Sequence, residues 1–161
     1  MSKAYILLGR IACGKSHVAQ QIAKEKGGVI LSCDEIIQSL FDECLGEKLV
    51  PTEAKAIDYL LSLAEQIGKC GGNVIFDCGL FSAKLRQYVS TKLSLMGFEC
   101  ERLLIKCDEQ IRHQRLNRRN LQRAGSGRKA YILPYEKVLT IEENRYEEPR
   151  QSEYDTLIEK N

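Results

Sequence analysis

The chain has 161 residues, of which 43% are hydrophobic and 29% are charged, and its formal net charge is +2. This length predicts a single domain, residues 1–161, and the small net charge argues against a broadly basic nucleic-acid-binding protein. No apolar run approaches the ~18 residues of a membrane span, so we expect a protein that is not inserted in a membrane. The seven cysteines include no C-x-x-C pair and are typical of reduced thiols, so we expect the protein to be cytoplasmic.

The first predicted element is a short apolar strand, residues 4–8, and a phosphate-binding loop follows it directly. The loop fits the P-loop pattern G-x-x-x-x-G-K-[ST] at every fixed position, with the sequence Gly9-Arg10-Ile11-Ala12-Cys13-Gly14-Lys15-Ser16. Residues 16–23 then have helical character, which completes the strand–loop–helix context of this motif. We expect the backbone from Gly9 to His17 to hold nucleotide phosphates. Lys15 is expected to reach the β- and γ-phosphates, and Ser16 to ligate Mg²⁺.

Two later strands are each followed by an aspartate. Residues 29–32 form the second predicted strand, shortly before Asp34, and residues 73–76 form the third, directly before Asp77. Ligands of open parallel sheets bind at the carboxyl ends of the strands, so both carboxylates are candidates for the nucleotide site. Either aspartate could instead serve only as a cap or turn residue.

The rest of the chain alternates between helices and strands. Apolar residues recur at helical spacing in residues 36–41, 51–68, 81–96, 108–123 and 134–146, and further strands are predicted at 102–105 and 154–158. Strands that are apolar throughout and alternate with helices favour a parallel sheet covered on both faces. The predicted fold is therefore α/β, three-layered and doubly wound.

One segment, residues 110–129, concentrates positive charge. It contains seven basic residues and no acidic residue, which leaves a net charge of −5 on the rest of the chain. On a helix, Arg112, Arg115 and Arg119 would share a face. Arginines of this kind can neutralise a transferring phosphoryl group, and the Gly125-Ser126-Gly127 run predicts a hinge. We therefore expect a lid over the phosphates, although nucleic-acid binding remains an alternative use of the same charge.

The order of these motifs resembles the small P-loop kinases. The resemblance rests on the P-loop, on Asp34 and Asp77 after the second and third strands, and on the arginine-rich helix that follows the fourth strand. It is greatest to the group of chloramphenicol phosphotransferase, zeta-type toxins and the kinase domain of phage polynucleotide kinase. It implies an adenylate-kinase-like P-loop NTPase fold, with five parallel strands in the order 2-3-1-4-5 and a lid.

The same resemblance implies a set of site residues. Asp34 would orient an acceptor hydroxyl and take its proton, Lys15 would hold the phosphates, and Arg115 and Arg119 would act from the lid. ATP and Mg²⁺ are the implied cofactors, with Ser16 and Asp77 as the implied metal ligands; Asp77 would hold Mg²⁺ through water or, alternatively, contact the acceptor. We therefore expect an ATP-dependent kinase that transfers the γ-phosphate to a hydroxyl. A P-loop ATPase and a nucleic-acid end kinase are the alternatives.

The region between the two aspartates predicts the charge of the acceptor. It contains no arginine, and its only cations are Lys48, Lys55 and Lys69. Apolar Ile37, Phe41 and Leu45 lie close to Asp34 in the chain. Strongly anionic acceptors are commonly held by arginine forks, so we expect a small neutral or weakly charged acceptor. Arg86 is the one nearby residue that could overturn this expectation by turning towards the site.

Overall fold

The computed structural model describes residues 1–127 and 131–160. Eleven helices and strands alternate along these residues, with short 3-10 turns at Gly46–Lys48 and Gln151–Glu153. In chain order they are β1 (Lys3–Leu8), α1 (Lys15–Lys26), β2 (Val29–Ser32), α2 (Cys33–Leu40), α3 (Leu49–Lys69), β3 (Val74–Asp77), α4 (Ala83–Leu95), β4 (Glu99–Cys107), α5 (Glu109–Gly125), α6 (Tyr135–Arg145) and β5 (Thr156–Lys160).

The five strands form one parallel sheet in the order β2-β3-β1-β4-β5. This confirms the fold class and the strand order that the sequence implied. The register pairs Ile6 of β1 with Phe76 of β3, and Ser32 of β2 with Asp77 of β3. The carboxyl ends of three neighbouring strands therefore meet at one edge, and each leads directly into a segment that carries a predicted site residue.

Apolar layers on both faces of the sheet hold this edge in place. On one face, α1 packs Val18 and Ala19 against the β1 side chains of Tyr5 and Leu7. On the other face, α3 and α4 pack against the opposite side of the same strands, in a cluster that includes Leu61, Val89, Ile6, Leu8 and Phe76. Each fully buried large apolar side chain contributes roughly 1.5–3 kcal/mol, so the strand ends are fixed by a rigid core. No helix within residues 1–127 and 131–160 is long and apolar enough to cross a membrane.

Candidate active site

The P-loop leaves β1 through a glycine that no other residue can replace without strain. Gly9 has a φ of 142°, and a Cβ there would lie 2.4 Å from the carbonyl oxygen of Ile105 on β4. Ala12 has a φ of 61°, and among the described residues it is the only one other than glycine that has a positive φ. The loop thus takes a conformation that ordinary residues avoid, which is a feature of tight anion-binding loops.

The loop ends at the N-terminus of α1, whose backbone donors have no side-chain cap. Gly14 is the N-cap residue and provides no capping side chain. The first N–H groups of α1, those of Lys15, Ser16 and His17, therefore point out of the helix without an intrahelical acceptor. Together with the positive end of the helix dipole, they form a site suited to a phosphate.

The side chain of Lys15 folds back across the loop. Its ammonium donates hydrogen bonds to the carbonyl oxygens of Gly9, at 3.0 Å, and of Arg10, at 2.8 Å. The charge is thereby held at the mouth of the loop, where it can exchange a carbonyl for a phosphate oxygen.

Asp77 lies at the end of β3, beside Ser16. Its side chain is buried, and burial raises the pKa of this carboxyl above its ordinary value. A hydrogen bond with Ser16 and the charge of Lys15 oppose that increase in pKa, whereas the charge of Asp34 adds to it. The four predicted residues are therefore close enough to interact. A hydroxyl next to a carboxylate, both beside a phosphate-binding loop, is a suitable oxygen pair for Mg²⁺.

Asp34 is exposed in the first turn of α2, and it does not cap that helix. Ser32 is the N-cap residue, and its hydroxyl accepts a hydrogen bond from the backbone N–H of Glu35 at 3.3 Å. The capping role that the sequence left open for Asp34 is therefore wrong. Burial raises the pKa of Glu53 and the charge of Asp34 adds to that increase, whereas the same charge opposes the decrease that burial causes in the pKa of Arg119. Asp34 in the first turn of α2 is thus within electrostatic range of Glu53, Asp77 and Arg119.

The arginines of α5 divide into distinct roles. The Arg115 guanidinium donates to the backbone oxygen of Cys13 at 2.9 Å, so it lies against the P-loop. Arg119 is half-buried, and its buried Nε has no hydrogen-bond partner in the described part of the chain. Burial, with the neighbouring charge of Arg123, lowers the pKa of Arg119. Because a buried guanidinium group is costly unless it meets an acceptor, Arg119 is suited to receive an anion.

The other basic residues of the segment are placed differently. Arg112 is buried and pairs with Glu142 at 2.7 Å, and Arg118 is exposed. Asn120 holds the following segment to α5 through two hydrogen bonds with the backbone of Leu133, at 2.7 and 3.0 Å. The predicted lid extends to Lys129, but Arg128 and Lys129 lie outside the described residues. The predicted hinge at residues 125–127 stays a prediction.

A cavity of about 320 Å³ opens beside Asp34, between α3 and α4. Apolar side chains from these helices form much of its wall, among them Val50, Ile57 and Leu85. The polar groups include Glu53 and Arg145, which form an ion pair inside the cavity. A cavity of this volume, apolar with a few polar groups, suits a small organic molecule.

The structure corrects two details of the predicted acceptor region. Ile37, Phe41 and Leu45 do not line the cavity, and Ile37 is buried in the core instead. The cavity also receives Arg145 from α6, a cation far outside the region between Asp34 and Asp77. No local signal in the sequence indicates Arg145, because this residue reaches the cavity only through the packing of α6.

Arg86 does not turn towards the site. Its guanidinium is buried, and it binds Glu153 at 2.8 Å and the backbone oxygens of Phe81 and Glu147, both at 2.9 Å. Its donors are thus committed to connecting α4 to the C-terminal segment. Arg86 is therefore not free to hold an anionic acceptor at the site.

The residues present fit a nucleotide with Mg²⁺. The uncapped α1 N-terminus, the Lys15 ammonium at the mouth of the loop and the buried Nε of Arg119 all favour an anion. The described residues contain no group of three or more His, Cys, Asp or Glu side chains that could hold a metal ion alone. This is compatible with Mg²⁺, which usually keeps one or two protein ligands and takes the remainder from phosphates and water.

Comparisons with known proteins agree with this geometry. A family model described as an AAA domain matches residues 5–143, whereas no curated protein sequence gives a significant match. Three similar solved structures cover nearly the whole chain. A Chloroflexus aurantiacus protein described as a kinase matches with a TM-score of 0.75 and 18% identity, over 98% of this chain and 86% of that chain. The APS kinase CysC of Mycobacterium tuberculosis, in complex with AMPPNP and APS, matches with a TM-score of 0.68 and 18% identity, over 98% of this chain and 88% of that chain. A protein of the PezAT toxin–antitoxin system of Streptococcus pneumoniae matches with a TM-score of 0.65 and 16% identity, over 99% of this chain and 68% of that chain.

Proposed function

The chain belongs to the AAA domain family and has the fold of the small P-loop kinases that its sequence resembles, and on this basis we propose that it is an ATP-dependent phosphotransferase. It transfers the γ-phosphate of ATP to a hydroxyl of a small acceptor bound beside Asp34. Residues 1–161 act as one kinase domain, with a lid at 110–129. The observation that carries the proposal is the position of Asp34, which follows β2 at the sheet edge that bears the P-loop and lines a cavity of about 320 Å³.

Asp34 orients the acceptor hydroxyl and takes its proton. Phosphoryl transfer depends mainly on positioning and charge stabilisation, and a nearby carboxylate is sufficient to receive one proton. Asp34 suits this role because Ser32 caps α2 in its place, which leaves the carboxylate exposed at the cavity. The role requires the aspartate charge, since an amide could hold the hydroxyl but could not accept its proton.

Cationic groups on the loop and the lid stabilise the charge of the phosphates. Lys15 holds the β- and γ-phosphates, Arg115 supports the loop through the Cys13 carbonyl, and Arg119 supplies the donor that lacks a partner. Mg²⁺, when bound with ATP, neutralises phosphate oxygens, and Ser16 and Asp77 are the residues that would hold it. Closure of the lid excludes water, so that transfer is favoured over hydrolysis.

The acceptor is neutral or weakly charged. The cation inside the cavity, Arg145, is already paired with Glu53, and Lys84 is exposed at the rim. An acceptor that carries a phosphate would therefore have to break an existing ion pair to gain a bidentate arginine contact. A compact molecule with an apolar face and a free hydroxyl fits without that cost.

A small acceptor is favoured over nucleic acid because three of the described arginines of α5 are turned at least partly into the protein. Arg112 binds Glu142, Arg115 contacts the P-loop, and the Nε of Arg119 is buried. A surface that tracks a nucleic-acid backbone needs exposed cations and aromatic side chains for stacking. The contact of Arg115 with the P-loop and the unpaired Nε of Arg119 support a role for these two arginines at the phosphates of ATP.

The test is ADP production across a library of hydroxylated small molecules. The wild-type protein should release ADP faster with particular acceptors, and Asp34→Asn should abolish that stimulation while AMPPNP still binds. Asp42→Asn, an exposed aspartate beyond the end of α2, is the matched control and should behave as wild type. ADP release that is equal with and without every acceptor, and unaffected by Asp34→Asn, would instead identify an ATPase.

A further inference from the structure

A buried carboxylate on α6, Glu142, holds the tip of the P-loop. Its Oε1 accepts the backbone N–H of Ile11 at 2.9 Å, and both of its oxygens accept Nη2 of Arg112, at 2.7 and 2.8 Å. Arg10 donates to it more weakly, at 3.4 Å. Only 3% of the Glu142 side chain is exposed. The carboxylate therefore connects α5, α6 and the loop at one point.

Arg112 binds the other backbone polar group of the same residue, Ile11. Its Nε donates to the carbonyl oxygen of Ile11 at 3.1 Å. The N–H and the C=O of one loop residue are thus both bound by a single ion pair from two helices outside the loop. Because the pair is buried, its geometry is narrowly defined.

The residue directly after this contact is the strained one. Ala12 has a φ of 61°, a left-handed conformation that costs an L-residue roughly 1–2 kcal/mol. Such conformations persist only where the surroundings hold them. Two residues beyond Ala12 the chain reaches Gly14, the N-cap of α1, where the helix N–H groups have no side-chain cap. The Glu142 contact precedes the strained residue and fixes the direction from which the chain enters it.

We propose that Glu142 is a positioning residue for nucleotide binding, which holds Ile11 so that the strained loop after it stays in its phosphate-binding conformation. The inference rests on the proposed function, because it assumes that the P-loop binds a nucleotide. It gives a role in nucleotide binding to Glu142, a residue far along the chain that would not itself touch the phosphates.

The experiment measures AMPPNP affinity by calorimetry for wild type, Glu142→Gln and a matched control. Glu153→Gln is the control because it breaks the ion pair of another buried arginine, Arg86, away from the P-loop. Glu142→Gln should weaken AMPPNP binding by about tenfold or more, the effect of losing one hydrogen bond to a charged group. Glu153→Gln should change the affinity by less than about twofold, even if both variants lose thermal stability.

Rescue distinguishes positioning from a merely structural role. In the double variant Ala12→Gly with Glu142→Gln, glycine adopts the left-handed conformation without strain, so part of the lost AMPPNP affinity should return. Arg112→Lys, which keeps the charge but cannot span Glu142 and the Ile11 carbonyl, should weaken binding as well and serves if Glu142→Gln does not fold. Wild-type affinity in either single variant, or no recovery in the double variant, would overturn the proposal. Failure of the wild-type protein to bind AMPPNP would overturn the proposed function itself.

Discussion

Replacement of Lys15 by methionine should weaken nucleotide binding while the protein still folds. The Lys15 ammonium makes two charged hydrogen bonds, at 2.8 and 3.0 Å, to loop carbonyls, and it must exchange at least one of them for a phosphate oxygen when ATP binds. One charged hydrogen bond contributes about 1.5–3 kcal/mol, so the affinity for ATP should fall by about 10- to 150-fold. Methionine keeps the aliphatic stem, so the packing of α1 is retained.

Calorimetric titration with Mg·AMPPNP measures this loss, and a thermal melt of each variant measures stability. Lys24→Met, in the exposed last turn of the same helix, is the control and should bind as wild type. The melting temperature of Lys15→Met should fall by much less than the affinity loss implies, since the two carbonyl hydrogen bonds lie at part-buried and exposed positions where water can replace the ammonium. An unchanged affinity in Lys15→Met would refute the assignment of the loop as the nucleotide site.

Two further predictions follow from the arginines. Arg119→Ala should lower turnover by about 100-fold or more, with little change in AMPPNP affinity, because a lid arginine stabilises charge mainly during transfer. Substitution of its exposed neighbour, Arg118→Ala, is the control and should leave turnover unchanged. Equal losses of turnover in the two variants would contradict the role of Arg119. Glu153→Gln should lower the melting temperature at pH 7 by about 5 °C, because the hydrogen bond from Arg86 holds the pKa of Glu153 below its ordinary value. A carboxyl with a lowered pKa stabilises the folded state above its unfolded pKa and loses that effect as the pH falls through its folded pKa, so the difference from wild type should shrink below about pH 4. A difference that is constant from pH 7 to pH 3 would refute this origin.

The order of the elements could be predicted from the sequence because the signals for it are local. The P-loop pattern fixes a strand, a turn and a helix within a few residues, and each later strand is a short apolar run bounded by turn residues. Asp77 lies at the end of its strand, and ligands of parallel sheets bind at the carboxyl ends of the strands, so its place beside the P-loop could be predicted. The sheet order then followed from the resemblance to P-loop kinases.

The rest of the site depends on side chains that are far apart in the chain. Helical spacing places Arg112, Arg115 and Arg119 on one face of α5, but only their packing shows that Arg112 binds Glu142 while Arg115 reaches the P-loop. Arg145 enters the cavity beside Asp34 from α6, and its charge is balanced by Glu53. No spacing rule relates residues of α6 to those of α3, so these contacts could not be predicted.

The central claim is that a phosphate is transferred from ATP to a hydroxyl under the control of Asp34. Phosphorus NMR of a reaction mixture follows the γ-phosphate directly, once an acceptor has been found by its stimulation of ADP release. With the wild-type protein, the γ-phosphate signal should be replaced by that of a phosphate ester on the acceptor, and with Asp34→Asn it should remain on ATP. Appearance of inorganic phosphate alone, at the same rate in both proteins, would contradict the claim.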